Sequence, residues 1–292
     1  MPSLLDIRRR VKSVKSIRQI TKAMEKISAI KMKKSQSAAY RSRRYARIAW
    51  EMFEGLQGHT ERNIHPLLEK REEVKNIGIL VISTDKGLCG SMNTRLTNSV
   101  IATVAQEGFS QDTTKLYTIG KKCREPLSRL GFFITADFGA VPSHPDPAFS
   151  LAVIKTIVED YTEGKIDKVF IAYTDFINTL SQKPAVKQIL PMESREKSAD
   201  TQTHQFKAQY LFEPSPEEVL VNLITRILEL QVYQSSLESN ASEHSARMVA
   251  MKSATDNASD LIDELTLIYN QARQTTITRE MAEISAGRIA LE

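Results

Sequence analysis

The sequence predicts an α/β fold: a long antiparallel coiled coil of the N- and C-terminal helices, with a central α/β domain between them. Three observations lead there. Residues 217–286 contain neither Gly nor Pro, and the same holds for residues 3–54. A helix interior excludes both, Pro because it lacks the N–H donor and clashes, Gly because its backbone loses the most entropy. At 1.5 Å per residue the two segments would extend roughly 100 and 80 Å, beyond the diameter of a globule of this length. Second, every Gly and Pro other than Gly287 and Pro2 falls between Gly55 and Pro216. Third, the ends carry opposite charge. Residues 1–50 hold fifteen Lys/Arg against Asp6 and Glu25, whereas residues 217–292 hold six Lys/Arg against twelve Asp/Glu. Segments of this kind face one another or an acidic partner. The expected boundaries are 1–58, 59–214 and 215–292.

The overall composition narrows the function classes. With 41% hydrophobic residues the chain is ordinary for a water-exposed fold. No apolar run approaches the eighteen residues that a membrane span requires. Cys89 and Cys123 have neither CxxC nor Cys/His metal spacing, and read as reduced thiols. The Arg-rich N-terminus has some character of a transit peptide, but its helical pattern runs about twice the usual length without a break, and is read as mature structure.

In the first helix, Ile7, Val11, Val14, Ile17, Ile20, Met24, Ile27 and Ile30 recur in steps of three and four and are expected to form its buried stripe. Lys12, Lys15, Arg18, Lys22, Lys26, Lys31, Lys33 and Lys34 flank it. Gly55 and Gly58 are expected to end it. A basic helix can bind nucleic acid or simply present a solvated face. Aromatic residues for base stacking are absent before Tyr40, and a complementary acidic helix lies in the same chain.

Between the helices the signals alternate. Strands are expected over residues 76–83, 116–119, 132–136, 168–173 and 185–190, and helices over 93–106, 121–130 and 148–161. This order predicts a Rossmann-like domain with a mostly parallel sheet. The turn Asp85-Lys-Gly-Leu-Cys-Gly90 between strand and helix is the kind of place that holds phosphate, but GxGxxG and P-loop patterns are absent. The simpler reading is a tight turn whose Gly87 and Gly90 allow close helix packing, with Asn93 capping the helix. Cys89 has no His beside it in sequence, and His59, His65, His144, His204 and His244 are scattered singly, so nucleophilic chemistry is not indicated.

Ser215-Pro-Glu-Glu218 is a helix start. Leu220, Leu223, Ile224, Ile227, Leu228 and Leu230 should pack on the central domain. Residues 235–259 are rich in Ser and Ala, which suits close backbone approach or slipping past a surround. A stripe of Leu261, Leu265, Ile268, Ala272, Ile277, Met281 and Ile284 then resumes. A helix this long needs a partner, and the first helix is the evident one.

Five stretches carry a resemblance. Ile7-Arg-Arg-Arg-Val-Lys-Ser-Val14, Ile20-Thr-Lys-Ala-Met24, Ser83-Thr-Asp-Lys-Gly-Leu-Cys-Gly90, Arg247-Met-Val-Ala-Met-Lys-Ser-Ala-Thr-Asp-Asn257 and Tyr269-Asn-Gln-Ala-Arg-Gln-Thr-Thr-Ile-Thr278 resemble the gamma subunit of F-type ATP synthase. The resemblance implies a rotor shaft, peripheral to the cytoplasmic face of a bacterial plasma membrane. The coiled coil would stand inside a ring of alpha and beta subunits, and the central domain beside the epsilon subunit and the ring of membrane c subunits. It implies no catalytic residue, no cofactor, no metal, no nucleic acid and no small-molecule substrate. It places Lys22 and Met24 where the shaft meets a beta-subunit lever, and Arg247, Gln274 and Thr278 at catch contacts with beta subunits. Tyr210 and Glu213 fall in the foot segment that meets the c ring. Two departures stand out. The last residues, Ser285-Ala-Gly-Arg-Ile-Ala-Leu-Glu292, are more charged than the family's small apolar tip. The cysteine-bearing segment of redox-regulated plastid members is absent, so no thiol switch is expected. The alternative from a different class is a basic coiled-coil binder of nucleic acid.

Overall fold

A computed structural model describes residues 3–57, 66–69, 71, 73–142, 146–192 and 215–289. Two helices dominate: α1, Leu4–Gln57, and α5, Pro216–Ile289. α1 continues through Gly55 rather than ending there, since nothing lies within 4 Å of where a side chain would start and no left-handed turn interrupts it. The start of α5 follows its signal, with Glu218 N–H donating to Ser215 Oγ at 3.2 Å.

Between them lie β1 (Ile77–Ile82), α2 (Met92–Gln106), β2 (Thr114–Ile119), α3 (Lys121–Arg129), β3 (Phe133–Asp137), α4 (Pro147–Thr162), β4 (Lys168–Phe176) and β5 (Gln182–Leu190). The sheet order is β3-β2-β1-β4-β5. The first four strands are parallel and β5 closes one edge antiparallel to β4. Every expected strand and helix is present. β4 and β5 are longer than expected because their hairpin pairs up to Phe176 and Gln182.

The chain divides into two compact units. One comprises Lys31–Ala246 and contains the whole sheet. Its β1 reads Ile-Gly-Ile-Leu-Val-Ile and is buried throughout, as a central parallel strand should be. Ile77, Ile79 and Val81 face a core with Leu96 and Val100 of α2 and Leu127 of α3. Leu80 and Ile82 face the opposite core, built with α4 (Ile154, Ile157), α1 (Ala49, Phe53) and α5 (Leu220, Ile224, Ile227, Leu228). The leucine-rich start of α5 thus packs where the sequence places it. At roughly 25 cal/mol per Å² of apolar surface, this double core is the main stabilising term of the unit.

The turn after β1 departs from expectation in two details. Gly90 has φ +61° and Leu88 φ +65°, so the turn needs left-handed backbone. No atom crowds Gly90, however, and packing is not its reason. The close approach occurs at Gly120 after β2, where a Cβ would stand 2.3 Å from the Ser83 carbonyl oxygen. Asn93 does not cap α2. Its amide donates to Thr84 Oγ1 at 2.8 Å and to Cys89 Sγ at 3.3 Å, tying the turn back to the helix. Neither cysteine forms a disulfide, and both are buried.

The other unit comprises Met1–Ile30 and Arg247–Glu292, the distal parts of α1 and α5. Thr255 Oγ1 donates to Thr21 Oγ1 at 2.8 Å here, whereas Arg43 meets Glu238 at 2.9 Å in the sheet unit. Within the sheet unit Arg43 meets Glu238 while Tyr45 hydrogen-bonds Arg226, so the later α1 residue faces the earlier α5 residue and the two helices run antiparallel there.

Candidate partner-contact surface

The seam between the helices differs from the stripe the sequence suggests. Along α1, one line of residues removed from solvent runs through Ile7, Val11, Val14, Arg18, Thr21, Glu25 and Ser28, then Met32, Ser35, Ala39, Ser42, Ala46, Ala49 and Phe53, with Leu4, Met24, Ala29, Gln36, Ala38, Trp50 and Met52 half-buried beside it. The steps alternate four and three throughout, a heptad period of 3.5, which specifies a left-handed supercoil. Ile17, Ile20, Ile27 and Ile30 are not in it. They are 50, 60, 55 and 71% exposed. The reason is arithmetic. From Ile7 to Ile30 the expected stripe averages about 3.3 residues per step, short of 3.6 per turn, so it winds round about half the helix.

α5 shows the same correction. Its distal seam is Met248, Met251, Thr255, Ala258, Ile262, Leu265, Tyr269, Ala272 and Thr276. Of the expected stripe only Leu265 and Ala272 lie on it, while Leu261, Ile268, Ile277, Met281 and Ile284 are exposed. The apolar residues left outside form a surface that the helix pair itself does not cover.

Charge follows the outer surface too. Lys12, Lys15, Lys22, Lys26, Lys31, Lys33 and Lys34 of α1 are exposed, and so are Asp256, Asp260, Asp263 and Glu264 of α5. Most charges flank the seam, with only half-buried Arg18 and Glu25 of α1 on it, since the desolvation of an ion pair opposes its burial.

Five of the seven expected contact residues lie among the described residues. Lys22 is exposed and Met24 half-buried on α1. Gln274 and Thr278 are exposed one turn apart on α5, and line a shallow hollow with Gln271, Thr275, Arg279 and Ala282. Arg247 is buried rather than presented. Tyr210 and Glu213 lie outside the described residues. Lys22, Met24, Arg247, Gln274 and Thr278 all belong to the helix-pair unit. The exposed isoleucines of α1 were the part missed by sequence reasoning, and the heptad count was the signal that could have found them.

The sheet unit carries a polar cluster of its own. Glu238, buried on α5, accepts from Arg43 Nε at 3.1 Å and Nη2 at 2.9 Å, and from Gln234 Nε2 at 2.7 Å. Burial opposes its charge, but these donors and a hydrogen bond with Asp175 hold its carboxyl below the ordinary value. Burial and the neighbouring Glu238 push Asp175 of β4 up. The two carboxyls are therefore pushed apart in proton affinity, and Arg43 lies against the stronger acid, Glu238. This is a structural clamp between α1, α5 and the sheet.

Around the turn after β1, several backbone donors bond within the protein. Thr84 N–H is directed at Asn93 Oδ1, Lys122 N–H donates to Thr84 O, and Cys123 N–H donates to Ser83 Oγ. The first N–H groups of α3 and the N–H of Thr84 are thus engaged within the protein. Among the described residues no three His, Cys, Asp or Glu converge as a metal site, and no helix is long and apolar enough to cross a membrane.

Comparison with known proteins agrees with this architecture over the full chain. The ATP synthase family model matches residues 3–291. The ATP synthase gamma chain of Chloroflexus aurantiacus is 42% identical over all of this chain and 99% of its own length. That of Legionella pneumophila is 39% identical over the whole of both chains. Among solved structures, a chain of the Euglena gracilis mitochondrial ATP synthase, in a structure of its OSCP, F1 and c-ring, superposes with a TM-score of 0.66. It is 18% identical, with 99% of this chain and 94% of that one covered, so it speaks to the fold. With a heptad-paired helix couple, a five-stranded sheet domain and relatives of this identity along its whole length, the chain belongs to the ATP synthase gamma chain family.

Proposed function

We propose that this chain is the central shaft of an F-type ATP synthase, turning as a unit and passing ion-driven rotation to the nucleotide sites of the beta subunits. The observation that carries the reading is the 3.5-residue seam joining α1 and α5. It leaves the basic and apolar residues of both helices facing outward, where a surrounding sleeve would meet them. A lone helix of this length would not persist in water, while two with a continuous seam resist bending and twisting together. The chain itself performs no bond chemistry. It alters partner affinities by presenting different faces as it turns, which is a difference in contact free energy between rotational states.

In this proposal the alpha and beta subunits surround the helix pair. Lys22 and Met24 meet a beta-subunit lever, and Gln274 and Thr278 form catch contacts. Arg247 joins them only when an approaching partner displaces its present neighbours. Tyr210 and Glu213 belong to a foot that meets the ring of c subunits, with the epsilon subunit beside the central domain. The division into 1–58, 59–214 and 215–292 then corresponds to shaft, foot and shaft. The place of work is the cytoplasmic face of a bacterial plasma membrane, held there through partners.

Purification of the tagged full-length chain from native membranes tests the reading. Alpha and beta subunits should co-purify in a complex that hydrolyses ATP. A complex that assembled without this chain and made ATP at the normal rate would refute it.

A further inference from the structure

In the sheet unit, α5 is joined to the sheet by its serines. Ser239 Oγ donates to the carbonyl of Ile82 at the end of β1, at 3.4 Å. Ser242 Oγ donates to the carbonyl of Thr174 in β4 at 3.1 Å, and Ser245 Oγ to that of Thr179 in the β4–β5 hairpin at 2.7 Å. All three side chains are buried. Distal α5 hydroxyls behave otherwise. Ser259, Thr266 and Thr276 each donate to the carbonyl four residues back in their own helix. That is the usual habit of a hydroxyl inside a helix. The three serines give it up to reach carbonyls on three separate parts of the sheet.

Their spacing has a mechanical consequence. At 100° per residue, each step of three shifts the contact by about 60° round the helix, so the three contacts fan over roughly 120°. Asn240, whose amide donates to the Pro142 carbonyl at 3.0 Å, extends the fan the other way. Contacts along one line would let a helix pivot about that line, whereas contacts spread round it oppose rotation in both directions. Serine also has a single rotatable bond before its hydroxyl, and so leaves little slack.

We infer that Ser239, Ser242 and Ser245 are a torsional lock, positioning residues that fix α5 against rotation about its own axis and so let the sheet domain turn the shaft without slip. The inference rests on the rotor reading above. Alanine removes the hydroxyl without adding volume, so it is the informative replacement.

The test uses the assembled complex, anchored by its catalytic head, with a gold rod attached through R129C on α3. Angular variance of the rod is recorded during the pause for ATP. S239A/S242A/S245A should assemble, hydrolyse ATP, pause at unchanged mean angles, and show an angular variance raised about twofold through the lost contacts. S245A alone should show part of the rise, and S245T, which keeps the hydroxyl, none. Should the triple variant fail to assemble, the S245A and S245T pair decides alone. Equal variance in S245A, S245T and the unsubstituted complex would overturn the lock. Failure of the unsubstituted chain to assemble or rotate would instead overturn the rotor reading.

Discussion

One helix, α5, is built in two ways. Up to Ala246 it lies in the sheet unit, and residues 227–242 are withdrawn from solvent on nearly every side. From Arg247 onward it belongs to the helix-pair unit, and between Ile262 and Thr276 only one residue in each three or four is covered. In the first part its leucines fill a core and its serines bond outward to the sheet. In the second, Ser259, Thr266 and Thr276 turn their hydroxyls back on the helix, and Leu261, Leu267, Ile268, Ile277, Met281 and Ile284 stand exposed. The lesson is that Gly/Pro-free length specifies a helix, while the environment decides which face counts as inside.

The comparison can be broken most strongly in the sheet unit. Leu228 is fully buried among Leu220, Ile224 and the sheet. Leu228→Ala should lower unfolding stability by roughly 2–5 kcal/mol, read as a fall in the urea midpoint with unchanged slope.

A smaller effect, again confined to the sheet unit, concerns acid. Asp167 is buried and accepts from Arg71 at 2.6 Å and from the Lys75 and Asn76 N–H groups at 2.8 and 2.9 Å. Burial opposes its charge, but these donors hold its carboxyl below the ordinary 3.8. A lowered carboxyl stabilises the fold above its unfolded value and loses that contribution as pH falls through the folded value. Asp167→Asn should therefore cost about 2 kcal/mol at pH 7. The difference from the unsubstituted chain should shrink as pH drops below 3.8, measured by urea unfolding across that range.

Within the helix pair the two kinds of apolar residue should separate. Ile262 lies on the seam and is 6% exposed, whereas Ile27 is 55% exposed. Ile262→Ala should destabilise by about 2 kcal/mol, and Ile27→Ala of the isolated chain by less than about 0.5 kcal/mol. Equal losses by thermal unfolding would mean that the exposed stripe is covered within the chain after all.

Much of this was legible beforehand because local chemistry decides it. The Gly- and Pro-free ends, the Ser215 cap and the β-branched run of β1 each specify an element whatever surrounds it, and all three are observed. The seam was not legible from residue size. Its positions hold Thr21, Ser28 and Ser35, because two closely approaching helices favour small side chains there, and an apolar stripe drawn through the largest residues drifts off it. The Ser/Ala stretch was read as able to slip past a surround. Its first half is instead docked on the sheet, since a buried serine is useful wherever a strand end leaves a carbonyl unpaired. The contact residues carried by resemblance divide by exposure: Lys22, Gln274 and Thr278 stand outward and Arg247 does not. Burial of a guanidinium depends on its neighbours in space, which its place in a motif does not reveal.

The central claim is that α1 and α5 turn together as one shaft. Thr21 and Thr255 meet through their hydroxyls at 2.8 Å, close enough for a disulfide between the two helices. The variant T21C/T255C, oxidised in the assembled complex, should form that disulfide readily and leave ATP-driven rotation at its unlinked speed. Rotation that stops on oxidation and returns on reduction would show that the helices must move past one another, and would contradict the account.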